Sequence, residues 1–222
     1  MPEPRIAAVL LVRPLKNSRK GTGPPFSEDD IMRLTEAMLL DALEAVAESR
    51  LVDDLIMVSP DSTLLSLADE NGVKGILEQE GEGTGSALER GLSLADPRTT
   101  VAMLMPCLLP LLKCEDLAFL LGRSLNGPRV VLVPSMTTQG TSLLISNPPD
   151  IALTVLQEAR SMPPYEAALT KSVPVESYRT EAGFDVRESS DLLHVLRSPR
   201  PSRAKDLLMT MRIEELSSRE RR

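Results

Sequence analysis

The sequence predicts an α/β protein: a single Rossmann-like, three-layer domain whose mostly parallel sheet carries helices on both faces. Three observations predict it. Short apolar runs alternate with stretches whose apolar residues recur at helical spacing, the pattern of successive β–α–β units. The runs are apolar throughout, as in strands covered on both sides. The chain has 222 residues, which suits one domain with a sizeable core. Aromatics make up only 2% of it and Trp is absent, so that core is built from Leu, Val, Ile, Ala and Met. Met103, Met105 and Met136 are expected to fill it.

The elements follow in order. "RIAAVLLV" reads as a first strand; with Glu3 ahead of it and no cleavage-like site, it is not a secretory leader. Ser27 is placed to cap the next helix, with Glu28, Asp29 and Asp30 favouring its positive end. Ile31, Leu34, Met38, Ala42 and Val46 mark its buried stripe. "DLIMVS" is a second strand. "STLLSLADENG" is a short helix stopped by Gly72. "VKGIL", helical "TGSALERGLSLA" and strand "VAMLM" come next. "KCEDLAFLLGRSL" is a helix ending near "NGP", and "RVVLVPS" and "TSLLIS" are strands. "PPDIALTVLQEARS" and "YEAALTKS" are helices, and "VPVESY" a last strand. "ESSDLLHVL" and "SRAKDLLMTM" complete the chain, joined by the linker "SPRPS". This divides residues 1–198, the body of the fold, from a basic helical tail over 199–222. Residues 197–222 hold eight Lys/Arg against four Asp/Glu, which suits a solvated terminal helix with a frayed end.

Composition excludes several classes. A net charge of −7 argues against general nucleic-acid binding. No apolar run reaches the length of a membrane span. Cys107 and Cys114 match neither a zinc pair nor a redox CxxC and are expected to be reduced thiols in a cytoplasmic protein. The one histidine, His194, rules out a His-based metal cluster. Its context, "DLLHVL", reads as a helix packed on the body, which speaks against a Ser-His-Asp triad.

Ligands of such a sheet bind outside the carboxyl ends of its strands, where four segments should converge. The loop "RPLKNSRKGTGPPFS" offers Arg13, Lys16, Arg19 and Lys20 with Gly21 and Gly23, a set able to hold a triphosphate. It is not a P-loop, and composition alone leaves a phosphate cradle and a solvated surface loop evenly balanced. "GEGTGS" opens a helix with Gly83, Thr84, Gly85 and Ser86, although taken alone an ordinary turn is the simpler reading. "MPCLLP" follows the fourth strand. "QGTS" supplies Gly140, Thr141 and Ser142, by itself a weak signal.

Together the four segments resemble the CofC family, the 2-phospho-L-lactate guanylyltransferases of coenzyme F-420 biosynthesis, relatives of the molybdenum-cofactor guanylyltransferases. "VLLVRPLKNSRKG" resembles the family's "PVKPL…AKSRL". "GTGSALERGL" resembles "GLNxALxxG", "MPCLLPLL" resembles "LPADLPLL", and "QGTSLLISNPPD" resembles "GGTNALLLxxPD". "VESYRTEAGFDVRESSDLLHVL" resembles the C-terminal "DSxxLxTDVDEPxDLxxLL". The likeness runs from about Ile6 to Leu196. It implies a fold of the nucleotide-diphospho-sugar transferase type and a GTP-binding homodimer. It also implies transfer of GMP to 2-phospho-L-lactate, or a related phosphorylated C3 acid, with pyrophosphate released. Arg13 and Asp185 would be catalytic, Asp185 would hold Mg²⁺, and Lys16, Arg19 and Lys20 would hold phosphates with the Gly83–Ser86 and Gly140–Ser142 segments. The chain departs from the pattern at Gly85 (Asn in the family), Leu108 (the metal-binding Asp), Ser142 (Asn), Ala168 (His) and Arg187 (the second acid). A competing expectation follows from these changes: a non-catalytic paralogue that binds a nucleotide or a partner but has lost the metal carboxylate.

Overall fold

The computed structural model describes residues 3–16, 26–105, 108–138, 140–159 and 161–211. Seven strands form one sheet: β1 (Ile6–Leu11), β2 (Asp54–Ser59), β3 (Lys74–Leu77), β4 (Val101–Met105), β5 (Arg129–Pro134), β6 (Thr141–Asn147) and β7 (Val175–Ser177). Their order is β3-β2-β1-β4-β6-β5-β7. Only β6 runs against the rest: it pairs antiparallel with both β4 and β5, and all other pairings are parallel. The start of β6 therefore lies at the edge where the other strands end.

Helices α1 (Glu28–Ser49), α2 (Ser62–Glu70), α4 (Cys114–Ser124), α7 (Leu192–Arg197) and α8 (Arg203–Thr210) cover one face. Helices α3 (Thr84–Leu92), α5 (Pro149–Glu158) and α6 (Pro164–Leu169) cover the other. The side chains of β1 divide accordingly. Ala8 and Leu10 join the first core, Val9 and Leu11 the second, and every residue of β1 is buried. The continuous apolar strands thus reflect two covered faces, as expected.

Helix α1 begins as its sequence dictates. Ser27 and Asp30 form a capping box, and Ile31, Leu34, Met38, Ala42 and Val46 are all buried. Asn71 ends α2 and is followed by Gly72, whose φ of +73° favours glycine. Gly91 lets α3 lie close against the sheet: a Cβ there would stand 2.4 Å from Val9 Cγ1.

Two expectations are corrected. Met103 and Met105 are core residues, but Met136 is half exposed, because it lies in the turn between β5 and β6. The basic tail is not a solvated appendage over its described part. Ala204 and Leu208 of α8 are buried in the first core. Asp41 of α1, itself 3% exposed, accepts the N–H groups of Arg203 (2.8 Å) and Ala204 (3.1 Å) and so caps α8 from across the interface. Residues 212–222 lie outside the described part of the chain. Among the described residues no helix is long and apolar enough to cross a membrane.

Candidate functional site

The described parts of the four loop segments converge on the expected edge. After β1 the Val12 N–H continues the ladder to Val58 O, and the Leu15 N–H donates to Thr35 Oγ1 at 3.1 Å. Thr35 donates in turn to Ile31 O, so the start of the first loop is pinned to α1. The segment around Asp185 then closes over the edge. Val186 N–H donates to Leu108 O, Lys16 N–H to Arg187 O, and Ser189 N–H to Lys16 O. The exits of β1 and β4 are tied together by a stretch from near the C-terminus.

Two cavities adjoin this tie. One, of about 280 Å³, is lined by Lys16, Leu108, Val186 and Glu188. The other, of about 400 Å³, is lined by Gly83, Thr84, Gly85, Thr141 and Pro164. Arg13 and Arg187 line both. A third cavity, toward β7, has Gly140, Thr141, Tyr165 and Arg179 in its wall. At the second cavity α3 begins on Gly83 with no side-chain cap, so its first N–H groups face outward without an intrahelical acceptor. Such a helix start favours an anion.

Each arginine is held by a carboxylate from behind. Arg13 Nε donates to both oxygens of Glu78, at 3.1 and 3.0 Å, and Nη2 also bonds to that carboxylate. Arg13 Nη1 lies 3.4 Å from Thr84 Oγ1, linking the first loop to α3. Glu82, beside them, is bound by Arg90 at 2.6 Å. That bond, helped by the Gln79 N–H, holds the Glu82 carboxyl down at about 2. Asp185 is fully buried. Its Oδ1 accepts from Ser135 Oγ at 2.6 Å and its Oδ2 from Arg187 Nε at 2.5 Å. Burial pushes this carboxyl up, but Ser135, Arg187 and Thr137 outweigh it and keep the group below the ordinary carboxylate range.

Arg13, Lys16, Gly83, Thr84, Gly85, Gly140 and Thr141 therefore line the cavities. Ser86 sits half-buried in the first turn of α3. Ser142 is corrected: it is buried and its hydroxyl donates to Gly183 O at 2.8 Å, because neighbouring strand residues point to opposite sides. Arg19 and Lys20 lie outside the described residues, as do Gly21, Gly23 and Cys107. Asp185 was expected to hold Mg²⁺, and its two oxygens already accept from Ser135 and Arg187. A Mg²⁺ site needs several outward oxygens. Asp185 presents none to the cavity, and Leu108 is an apolar residue 4% exposed and packed in the core. Among the described residues no three of His, Cys, Asp and Glu gather to hold an ion. These residues do not fit a protein-held Mg²⁺. Sequence reasoning missed Glu78 and Ser135 and met Arg187 as a departure from the family pattern that could supply positive charge in place of the lost acid. Glu78 had a signal: it is an acid one residue past a strand end at the ligand-binding edge.

The sheet order, with β6 alone reversed among the described strands, defines an α/β fold of the nucleotide-diphospho-sugar transferase type. Solved structures agree on the fold. A candidate nucleotide-diphospho-sugar transferase of Desulfovibrio desulfuricans G20 superposes with a TM-score of 0.65 at 18% identity, covering 93% of this chain and 95% of that one. The 4-diphosphocytidyl-2C-methyl-D-erythritol synthase of Anaerococcus prevotii DSM 20548 gives 0.61 at 9% identity, covering 93% and 99%. The family described as "Guanylyl transferase CofC like" matches residues 7–222, and the chain belongs to it. Among relatives, the phosphoenolpyruvate guanylyltransferase of Rubrobacter xylanophilus is 31% identical over 90% of this chain and 99% of its own. The 2-phospho-L-lactate guanylyltransferase of Methanothermobacter thermautotrophicus is 28% identical over 97% and 95%. These likenesses speak for the enzyme, and none favours the non-catalytic paralogue.

Proposed function

We propose that the protein is a guanylyltransferase that joins GMP from GTP to the phosphate of a small phosphorylated acid, 2-phospho-L-lactate or phosphoenolpyruvate. An oxygen of the acceptor's phosphate attacks the α-phosphorus. The bond from that phosphorus to the β-phosphate's bridging oxygen breaks, and pyrophosphate leaves. The observation that carries this reading is the meeting of Arg13, Lys16 and the uncapped start of α3 around adjoining cavities. It occurs in a chain whose guanylyltransferase relatives align over nearly its whole length.

The roles follow from charge and position. The α3 N-terminus, with Thr84 and Gly85, holds a phosphate of GTP, and Arg13 fixes that phosphate's orientation through its anchored guanidinium. Lys16 adds charge from the first loop. The acceptor lies toward Thr141, where Arg179 lines the neighbouring cavity and attracts its anionic groups. Holding two anions in line for attack accounts for much of such a reaction's barrier. The homodimer belongs to the same reading and rests on the family resemblance; the cytoplasmic setting rests on Cys107 and Cys114 being read as reduced thiols.

The test is direct. Purified protein with GTP and each acid in turn, assayed for pyrophosphate, should show release that depends on the acid. No release with either acid, in protein that binds GTP, would overturn the transferase reading. Arg13→Ala should lower kcat/KM for GTP about 10- to 100-fold, the loss expected of a charge-assisted contact.

A further inference from the structure

The triphosphate end of a nucleotide must be neutralised before another anion can approach it. Among the described residues the acids around the two arginines already have donors, and Glu188, on the wall of the first cavity, accepts the Asp191 N–H as a cap. Asp185 has its two oxygens on Ser135 and Arg187, and Glu78 is 6% exposed behind Arg13. Glu82 is bound by Arg90. Leu108, at the exit of β4, brings no oxygen and is buried.

What the edge does present is a pair of guanidinium groups. Arg13 and Arg187 line the same two cavities, with side chains 42% and 41% exposed, while the carboxylates that hold them are 6% and 0% exposed. The arrangement is the same twice: an enclosed acid grips Nε, and the arginine reaches the cavity wall. The backbone of Arg187 is fixed as well. Its N–H donates to Asp191 Oδ2 at 2.9 Å, and its carbonyl accepts from the Lys16 N–H. An arginine so placed cannot lose its charge at any working pH, and its planar fork matches phosphate oxygens.

We infer that Arg187, aimed by the buried carboxylate of Asp185, neutralises the nucleotide's phosphates together with Arg13, and that nucleotide binding by this chain does not depend on a protein-held divalent cation. Asp185 is then a positioning residue, acting through the arginine it holds. The inference rests on the guanylyltransferase reading above and assigns the charge at that same site.

Calorimetry of the full chain with GTP, in Mg²⁺ and in EDTA, tests it. Wild-type affinity should differ less than about threefold between the two buffers, well under the effect of losing a charge-assisted contact. Arg187→Ala should weaken GTP about 10- to 100-fold in both, with no rescue by Mg²⁺. Arg187→Lys should recover part of that loss, and its binding should weaken with salt as the wild type's does. Asp185→Asn keeps the shape but loosens the grip on the guanidinium. It should raise KM for GTP more than it lowers kcat, a split that a purely structural role would not produce. Wild-type binding that requires Mg²⁺, or an Arg187→Ala variant with unchanged affinity, would overturn the assignment of Arg187 alone. Failure of the wild type to bind GTP in either buffer would overturn the nucleotide reading as well.

Discussion

Asp41 and Asp185 are both almost wholly removed from water, and the protein treats them in opposite ways. Asp41 sits in the middle of α1 and receives two backbone N–H groups from α8, with the Arg203 guanidinium 3.7 Å away. Burial prevails there and raises its carboxyl above the ordinary range, against the pull of the Arg203 and Ala204 amides, Lys113 and the Arg203 charge. Asp185 suffers burial too, but a hydroxyl and a guanidinium within 2.6 Å keep it charged. Burial alone does not decide what a carboxylate does. A close, fully charged donor turns it into a fixed holder of an arginine, whereas backbone amides turn it into a joint between helices.

The largest expected effect tests that contrast at Asp185. Asp185→Ala removes the hydrogen bonds from Ser135 and Arg187; because Arg187 is 41% exposed and can turn to water, the expected cost is about 3 kcal/mol, that of the lost charge-assisted bonds. Urea unfolding should show it, and a loss no larger than that of Asp41→Ala would erase the distinction. Leu108→Asp asks what an enclosed carboxylate costs with no donors provided. About 3 kcal/mol is expected, equal in Mg²⁺ and in EDTA by thermal melting. Recovery with Mg²⁺ would show that this edge can hold the ion after all. Asp41→Ala uncaps α8 and should cost about 1–2 kcal/mol.

The smallest effect is the most specific. Asp185's folded carboxyl lies below the reference 3.8, so its stabilisation is complete above that pH and is lost as pH falls through the folded value. Asp41's lies above 3.8, so the native state keeps a proton that the unfolded chain has shed, and stability falls as pH rises from 3.8 through the folded value. Each slope is at most about 1.4 kcal/mol per pH unit. Urea midpoints between acidic and neutral pH should lose the acid-side slope in Asp185→Asn and the opposite slope in Asp41→Asn. Slopes of the same sign would contradict the pairing described for one of them.

Much of the fold was legible because it is local. Apolar runs, the Ser27–Asp30 cap and the stop at Gly72 are written in neighbouring residues. The reversal of β6 was not, since "TSLLIS" reads alike in either direction. The docking of α8 had a trace in the sequence: Asp41 falls on the same helical stripe as Leu34 and Met38, and an acid on a buried stripe requires a partner. That partner, the start of α8, lies far along the chain. The site divides in the same manner. Arg13, Lys16, Gly83, Thr84, Gly85, Gly140 and Thr141 could be placed on this edge because their segments lie at strand ends there. Glu78 and Ser135 were not, because the pairings Arg13–Glu78 and Ser135–Asp185 are made by folding rather than spacing; Asp185 itself was singled out, as a metal ligand. Ser142 was misjudged because a hydroxyl one residue along a strand points the other way.

The stretch that ties Lys16 to Arg187 and Ser189 also gives the protein an order of birth. The first strand and Lys16 leave the ribosome well before Arg187 and Ser189, which close over them. Until Ser189 has emerged, the first loop has no partner for the Lys16 carbonyl, and the cavity shared by Arg13 and Arg187 has no second wall. A nascent chain can therefore assemble much of its sheet yet have no grip on a nucleotide. Translation that stops before Val186 yields a chain without that wall of the candidate site, so the cavity waits for a long-range closure and not for the local folding of the first strands.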